Sequence, residues 1–283
     1  MNGLKGVIFA DKLNYQGYVD HRFKDLAEQF SRLQDGRAEQ GGAALAVYFQ
    51  GKKVVDIYTG KKSDSEQWNS QTLSVCYSTG KGILATLAHI LVSEGFLDYD
   101  TPIVKFWPEF GQNGKESMTL RHILSHQSGL YDIRNLIAQA VEMADWQHML
   151  HVMEQATPRF PVGTDIAYQA LTFGWLVGGV LEKATQQSLA SLLQQYLVEP
   201  LELDGVYFGL PESELSRVAR LIPKAEPIQK TQTEKPKTKS KSKISFSDKL
   251  IELSGQNPQN FLDAMVPKGM RDFSFFSDQG LQA

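Results

Sequence analysis

The run Val75-Cys76-Tyr77-Ser78-Thr79-Gly80-Lys81-Gly82-Ile83-Leu84-Ala85-Thr86-Leu87-Ala88-His89-Ile90-Leu91-Val92-Ser93-Glu94-Gly95 sets the terms for the rest of the chain. From Ile83 onward its apolar residues are Ile83, Leu84, Leu87, Ala88, Leu91 and Val92. That i, i+1, i+4, i+5 beat predicts a helix with one broad buried face. Gly95 follows as a C-terminal cap. Ser78 opens the helix and Lys81 lies one turn deeper. Residues three apart on a helix share a face, so the hydroxyl and the amine can meet.

A serine hydroxyl is a poor nucleophile until something takes its proton. A lysine can take it only as the neutral amine, and burial disfavours the charged ammonium. The mouth of a core helix offers that setting. The partial positive charge at a helix N-terminus also stabilises an oxyanion formed there. Ser-x-x-Lys is nevertheless a weak signal. On spacing alone the favoured reading is an ordinary N-cap serine beside a solvated lysine. A second copy, Ser240-Lys241-Ser242-Lys243, lies in a lysine-rich polar tract. It is read as chance, because nothing around it could bury the lysine.

The chain has 283 residues, enough for a large core and one or two domains. With 29 basic against 32 acidic residues, no global excess points to nucleic acid or to disorder. The single cysteine, Cys76, rules out an intramolecular disulfide, so an oxidising compartment is not indicated. As a rival nucleophile Cys76 is set aside in favour of a buried structural thiol. Residues 1–20 hold no apolar run of signal-peptide length, and no stretch reaches the roughly 18 apolar residues that span a bilayer. A soluble, cytoplasmic protein without membrane or nucleic-acid partners is the expectation.

Asp20 can cap a helix whose narrow apolar face is Phe23, Leu26, Ala27, Phe30 and Leu33. Residues 43–49 and 54–58 read as two strands of a hairpin, turning at Gln50-Gly51-Lys52-Lys53. A polar loop carrying Trp68 leads to Ser78. Helices are predicted over 119–124, capped by Thr119, and over 146–155, 172–183 and 189–197. In the third of these, Gly174, Gly178 and Gly179 lower helix propensity and permit a close neighbour. Residues 224–249 then hold eight lysines against three acids, a solvated insertion without the aromatics or apolar period of a nucleic-acid patch. A short helix is expected from Ile244 to Leu253.

Three further stretches bear on Ser78. Tyr168-Gln169-Ala170 ends a loop before a glycine-containing helix. Its phenol could relay a proton to a leaving group, although a locally packed tyrosine is the favoured reading of that residue alone. Leu120-Arg121-His122-Ile123-Leu124-Ser125-His126-Gln127-Ser128-Gly129-Leu130 places two histidines four apart. No carboxylate lies between them, so they read as hydrogen-bonding residues and not as metal ligands. Ser128 lacks a Gly-x-Ser-x-Gly elbow. Leu97-Asp98-Tyr99-Asp100-Thr101-Pro102, followed by Trp107-Pro108-Glu109-Phe110, marks the exit of the Ser78 helix.

Taken in order, these motifs resemble the serine β-lactamase-like superfamily, on its class C and family VIII carboxylesterase branch. Tyr77-Ser78-Thr79-Gly80-Lys81-Gly82 and Ala167-Tyr168-Gln169-Ala170-Leu171-Thr172-Phe173-Gly174-Trp175 carry the resemblance together with the three runs just quoted. Gly17-Tyr18-Val19-Asp20 fits it too, and it covers most of residues 17–210. The resemblance implies an α/β (α+β) fold, β-lactamase/transpeptidase-like: an antiparallel sheet covered by helices plus a helical domain, with the site in the cleft between them. It implies Ser78 as acylated nucleophile, Lys81 as its base, Tyr168 as partner in proton transfer and the Ser78 N–H as one oxyanion donor. It implies no metal and no organic cofactor.

Two departures stand out. The β-lactamase form of the tyrosine motif is Tyr-x-Asn, and Ala170 takes the Asn position. Losing that amide favours simple esters over β-lactams and peptides. No copy of the third family motif, Lys-Thr-Gly or His/Trp-x-Gly, is found, and the C-terminal sheet strands are read as missing from a truncated member. The expected organisation is residues 1–96 as the first part of the α/β domain, 97–220 mostly helical, 221–249 the insertion and 250–283 an incomplete return segment. The expected activity is hydrolysis of small carboxylic esters through an acyl-enzyme. A β-lactamase or D-amino-acid peptidase is the rival within the enzyme class. A catalytically inactive scaffold, assembly protein or fragment is the rival outside it. The oligomeric state stays open.

Overall fold

Residues 14–35 and 41–221 are described by the computed structural model of this protein. They fall into two units, one of residues 14–35, 41–75 and 210–221, the other of 76–209. The lysine-rich tract from 222 on, the helix expected at Ile244 and the C-terminal strands lie outside the described residues.

The first unit is a small sheet backed by one helix. Strand β1 (Gln16–Val19) leads to Asp20, whose carboxylate accepts the Arg22 N–H at 3.0 Å and starts a 3-10 turn, His21–Phe23. That turn runs into α1 (Lys24–Gln34). Strands β2 (Gly42–Phe49) and β3 (Lys52–Gly60) form the expected hairpin. The turn is tighter than the four residues predicted, because Gln50 and Gly51 both adopt positive φ (50° and 73°). Two such residues match the twist of the flanking strands, so the ladder can resume at Lys52. The sheet order is β1-β3-β2, all antiparallel, with Val19 opposite Val55 and Val47 opposite Val55 on the other side. A four-residue strand was not legible in the opening segment. Central β3 buries Val54, Val55 and Ile57 with Ala27 and Phe30 of α1. Leu26 and Leu33, assigned to the same face by spacing, stay exposed at 40% and 59%. Residues 210–221 return to this unit: the Leu73 N–H donates to Arg217 O (2.9 Å) and the Ala219 N–H to Leu73 O (2.7 Å).

The second unit is helical. It comprises α2 (Thr79–Ser93), α3 (Leu120–Leu124), α4 (Ile133–Leu136), α5 (Trp146–Gln155), α6 (Thr172–Thr185) and α7 (Leu189–Leu193). Single 3-10 turns occupy Ile103–Lys105, Pro108–Phe110 and Ala140–Ala144. Thr119, Asp145 and Ser188 cap α3, α5 and α7 by accepting the N–H groups of His122, His148 and Ser191. The expected helix over 189–197 is α only to Leu193 and continues as a π turn, Gln194–Val198.

Helix α6 is the hub. Phe173, Leu176, Val177, Val180 and Leu181 are buried in one cluster with Leu84, Leu87, Ala88 and Leu91 of α2. A Cβ at Gly179 would stand 2.7 Å from the Trp107 ring and 2.8 Å from Leu150. Glycine there lets Trp107 and Leu150 approach the helix closely, which offsets a propensity cost of about 1 kcal/mol relative to Ala. Trp107 is fully buried, and its indole N–H donates to Glu154 Oε1 at 2.7 Å. Lys115 is also fully buried. Its ammonium donates to Glu154 O (3.0 Å) and Ala156 O (2.5 Å), closing the C-terminal end of α5. Burial pushes its pKa down to about 8.

Candidate active site

Ser78 precedes α2 with helical backbone angles, φ −65° and ψ −8°, and its side chain caps no N–H. An N-cap serine needs an extended backbone and a hydroxyl turned back on the helix, so the capping reading is not realised. Tyr77 just before it sits at φ 44°. That left-handed conformation is unfavourable for a ring-bearing residue. It turns the chain sharply into the helix and leaves the hydroxyl free for another partner. That partner is Lys81, whose Nζ donates to Ser78 Oγ at 3.1 Å. Among the described residues no carbonyl accepts the Ser78 N–H, which leaves it available at the mouth of α2.

Lys81 is half-buried and makes a second hydrogen bond, to Ala170 O at 2.6 Å. Its Nζ lies 5.1 Å from the centre of the Tyr168 ring and 5.9 Å from that of Phe173. The chain thus brings Ser78, Lys81 and Tyr168 together around one amine. Two aromatic rings therefore flank the amine.

The Tyr168 loop is tied down along its length. The Gly163 N–H donates to Gln127 O (3.0 Å), and the Thr172 hydroxyl donates to Leu130 O (2.6 Å). The Ala167 N–H donates to His126 O (3.0 Å), and the Gln169 N–H to His126 Nδ1 (3.2 Å). His126 has φ 61°. Its ring packs edge-on to Tyr168, 4.9 Å between centroids, and tilts against Phe173 at 5.4 Å. Burial, with a smaller contribution from the Lys81 charge, lowers its pKa to about 4. The imidazole is therefore neutral at pH 7.

The two histidines do not converge. His122 Nδ1 accepts the Thr119 N–H at 3.2 Å, while His126 faces the tyrosine loop. Ser128 is fully buried and accepts the Leu130 N–H at 3.0 Å. Cys76 is exposed, a correction to the buried thiol expected from sequence. Like Tyr77 and Ser78 it is exposed, and it precedes α2 instead of standing on the apolar face of that helix. Asp100 holds Arg121 with two bonds, 2.7 and 2.8 Å, and so ties the exit of α2 to α3. Sequence reasoning missed the Ala170 carbonyl, the Phe173 ring and the two His126 bonds. A carbonyl has no side-chain signature. For Phe173 the only signal was its place one turn after Ala170 on an apolar helix face.

A family model described as Beta-lactamase matches residues 23–273. The esterase/beta-lactamase LipL of Mycobacterium tuberculosis is 36% identical over 209 residues, 73% of this chain and 48% of that protein. Among solved structures, a family VIII carboxylesterase is 32% identical with TM-score 0.68, covering 74% of this chain and 57% of the other. A penicillin-binding protein homologue from Caulobacter crescentus is 32% identical with TM-score 0.69, covering 75% and 57%. Their fold is the β-lactamase/transpeptidase-like architecture expected from the motifs. The chain spans about half the length of the curated relatives it matches.

Proposed function

This chain belongs to the beta-lactamase family, and from that premise we propose that it is a serine hydrolase acting on small carboxylic esters through an acyl-enzyme on Ser78. The observation that carries the reading is the 3.1 Å contact between Lys81 Nζ and Ser78 Oγ at the open end of α2. As a neutral amine Lys81 takes the hydroxyl proton, and Oγ attacks the ester carbonyl. The Ser78 N–H and the N-terminal end of α2 face the oxyanion that forms. Tyr168 passes a proton to the departing alkoxide and later takes one from the water that attacks the acyl group; as the acid leaves, Lys81 returns its proton to Ser78 Oγ.

Ala170 supports ester over β-lactam or amide. Its methyl is buried and offers no hydrogen bond, and its carbonyl is already held by Lys81. An amide substrate would find no side-chain partner at that position. Relatives named Beta-lactamase, such as that of Escherichia coli at 24% identity, keep the β-lactamase reading as a specific rival. The test is stoichiometric labelling by a fluorophosphonate, with the adduct mapped to Ser78. A short-chain aryl ester and a chromogenic cephalosporin are then run in parallel. Ester turnover lost in Ser78→Ala supports the proposal. Faster cephalosporin turnover favours the rival. A folded protein that neither labels nor turns over either compound is a non-catalytic member of the family.

A further inference from the structure

We propose that His126 is a positioning residue that holds Tyr168 over Lys81 by clamping the backbone on both sides of it. The inference deepens the ester-hydrolase reading and rests on it for its effect on rate. The geometry stands apart from that reading.

One residue supplies both jaws. Its carbonyl takes the N–H of Ala167, and its ring takes the N–H of Gln169, the two neighbours of Tyr168. An acceptor on the ring and an acceptor on the backbone can face the same loop only if the chain bends back at that point. His126 does so with φ 61°, a left-handed conformation uncommon outside glycine but more open to His, Asn and Asp than to other residues. The same ring meets the Tyr168 ring at 4.9 Å and 66°, an edge-to-face geometry that resists rotation of the phenol.

The clamp works only with an unprotonated Nδ1. As an acceptor for Gln169, Nδ1 carries no proton, so the neutral ring carries its hydrogen on Nε2. A charged ring would donate at both nitrogens and lose the Gln169 bond. The groups facing His126 disfavour that charge. Lys81 comes from α2 and repels that charge whenever it carries a proton, Tyr168 comes from the loop before α6, and Phe173 of α6 is uncharged. On its own segment His122 is engaged with Thr119. Acid therefore opens one jaw, and the tyrosine loop loosens with it.

The test uses the full chain and two variants. His126→Phe keeps a ring but removes the acceptor. His126→Asn keeps an acceptor oxygen that cannot titrate. In His126→Phe the maximal rate of Ser78 phosphonylation should fall about 10²-fold, the scale of a misplaced catalytic group, while the half-saturating fluorophosphonate concentration stays put. His126→Asn should recover most of the rate. The amide protons of Ala167 and Gln169 should exchange faster in His126→Phe only. Histidine 15N shifts should show the Nε2–H form in the wild type down to acid well below pH 6.5. Unchanged labelling in His126→Phe, or equal losses in both variants, overturns the proposal. If the wild type does not label at all, the hydrolase reading has failed on its own account. The clamp is then decided by exchange: equal protection of Ala167 and Gln169 in wild type and His126→Phe overturns it.

Discussion

At the scale of single residues, the site is a question of which atom holds the Lys81 amine. Ser78 Oγ and Ala170 O share it at 3.1 and 2.6 Å. Lys81→Met keeps the length of the side chain and removes the amine. Phosphonylation of Ser78, followed by intact mass, should slow by about 10²–10⁴-fold, the usual worth of a general base. Lys81→Arg should not restore it, because a guanidinium cannot give up its proton in a protein. Gln169 poses the opposite case. Its side chain is fully buried, and neither amide atom has a hydrogen-bond partner among the described residues. Leaving such a group unpaired costs about 1–3 kcal/mol. Gln169→Met, of similar volume, should raise the urea midpoint, and a lowered midpoint would show that the amide is satisfied after all. The backbone N–H that His126 accepts is unaffected by that change.

At the scale of elements, the site depends on how closely α6 approaches its neighbours. Helix α6 carries Phe173 toward the amine at one end and packs Trp107 and Leu150 against Gly179 at its middle. Gly179→Val would place atoms where those side chains already stand. Overpacking of this kind costs typically about 1–3 kcal/mol, to be read as a lowered urea midpoint. Trp107 fluorescence should shift as the indole is pushed off Glu154. Gly82, on the exposed face of α2 with nothing within 4 Å of a Cβ, is the internal control. Gly82→Ala should be neutral or slightly stabilising on helix propensity.

At the scale of the whole molecule, the balance of 29 basic and 32 acidic residues makes global charge repulsion a minor influence near neutrality. Exposed pairs such as Arg121 with Asp100 are worth only about 0–1 kcal/mol. The pH dependence should instead follow two titratable groups of the helical unit, His126 and Lys115. For His126 the folded pKa is about 4 against an ordinary 6.5. Between those values the unfolded chain binds more protons, so stability rises with pH across that window and is lost on acidification through it. For Lys115 the folded pKa is about 8 against 10.5. Here too the unfolded chain holds the proton longer. The cost of burying the ammonium is full below pH 8 and is relieved as pH climbs toward 10.5. Urea titrations from pH 8 to 10.5 should show wild type gaining on Lys115→Met. A constant difference between the two would mean that the ammonium keeps its ordinary affinity for the proton.

The local part of this protein was readable before any coordinates. Helix α2, the boundaries of α5, the Thr119 cap and the shared face of Ser78 and Lys81 depend on residues a few positions apart, where periodicity and capping chemistry act. The motif order identified the family for the same reason, since it is a property of the chain and not of its packing. Only the tertiary structure could show that Ala170 O, eighty-nine positions from Lys81, takes its second hydrogen bond, or that one histidine holds the backbone on both sides of Tyr168. Those contacts use main-chain atoms that every residue possesses. What selects them is the close seating of α6 and its preceding loop against α2, a matter of shape and burial summed over many side chains.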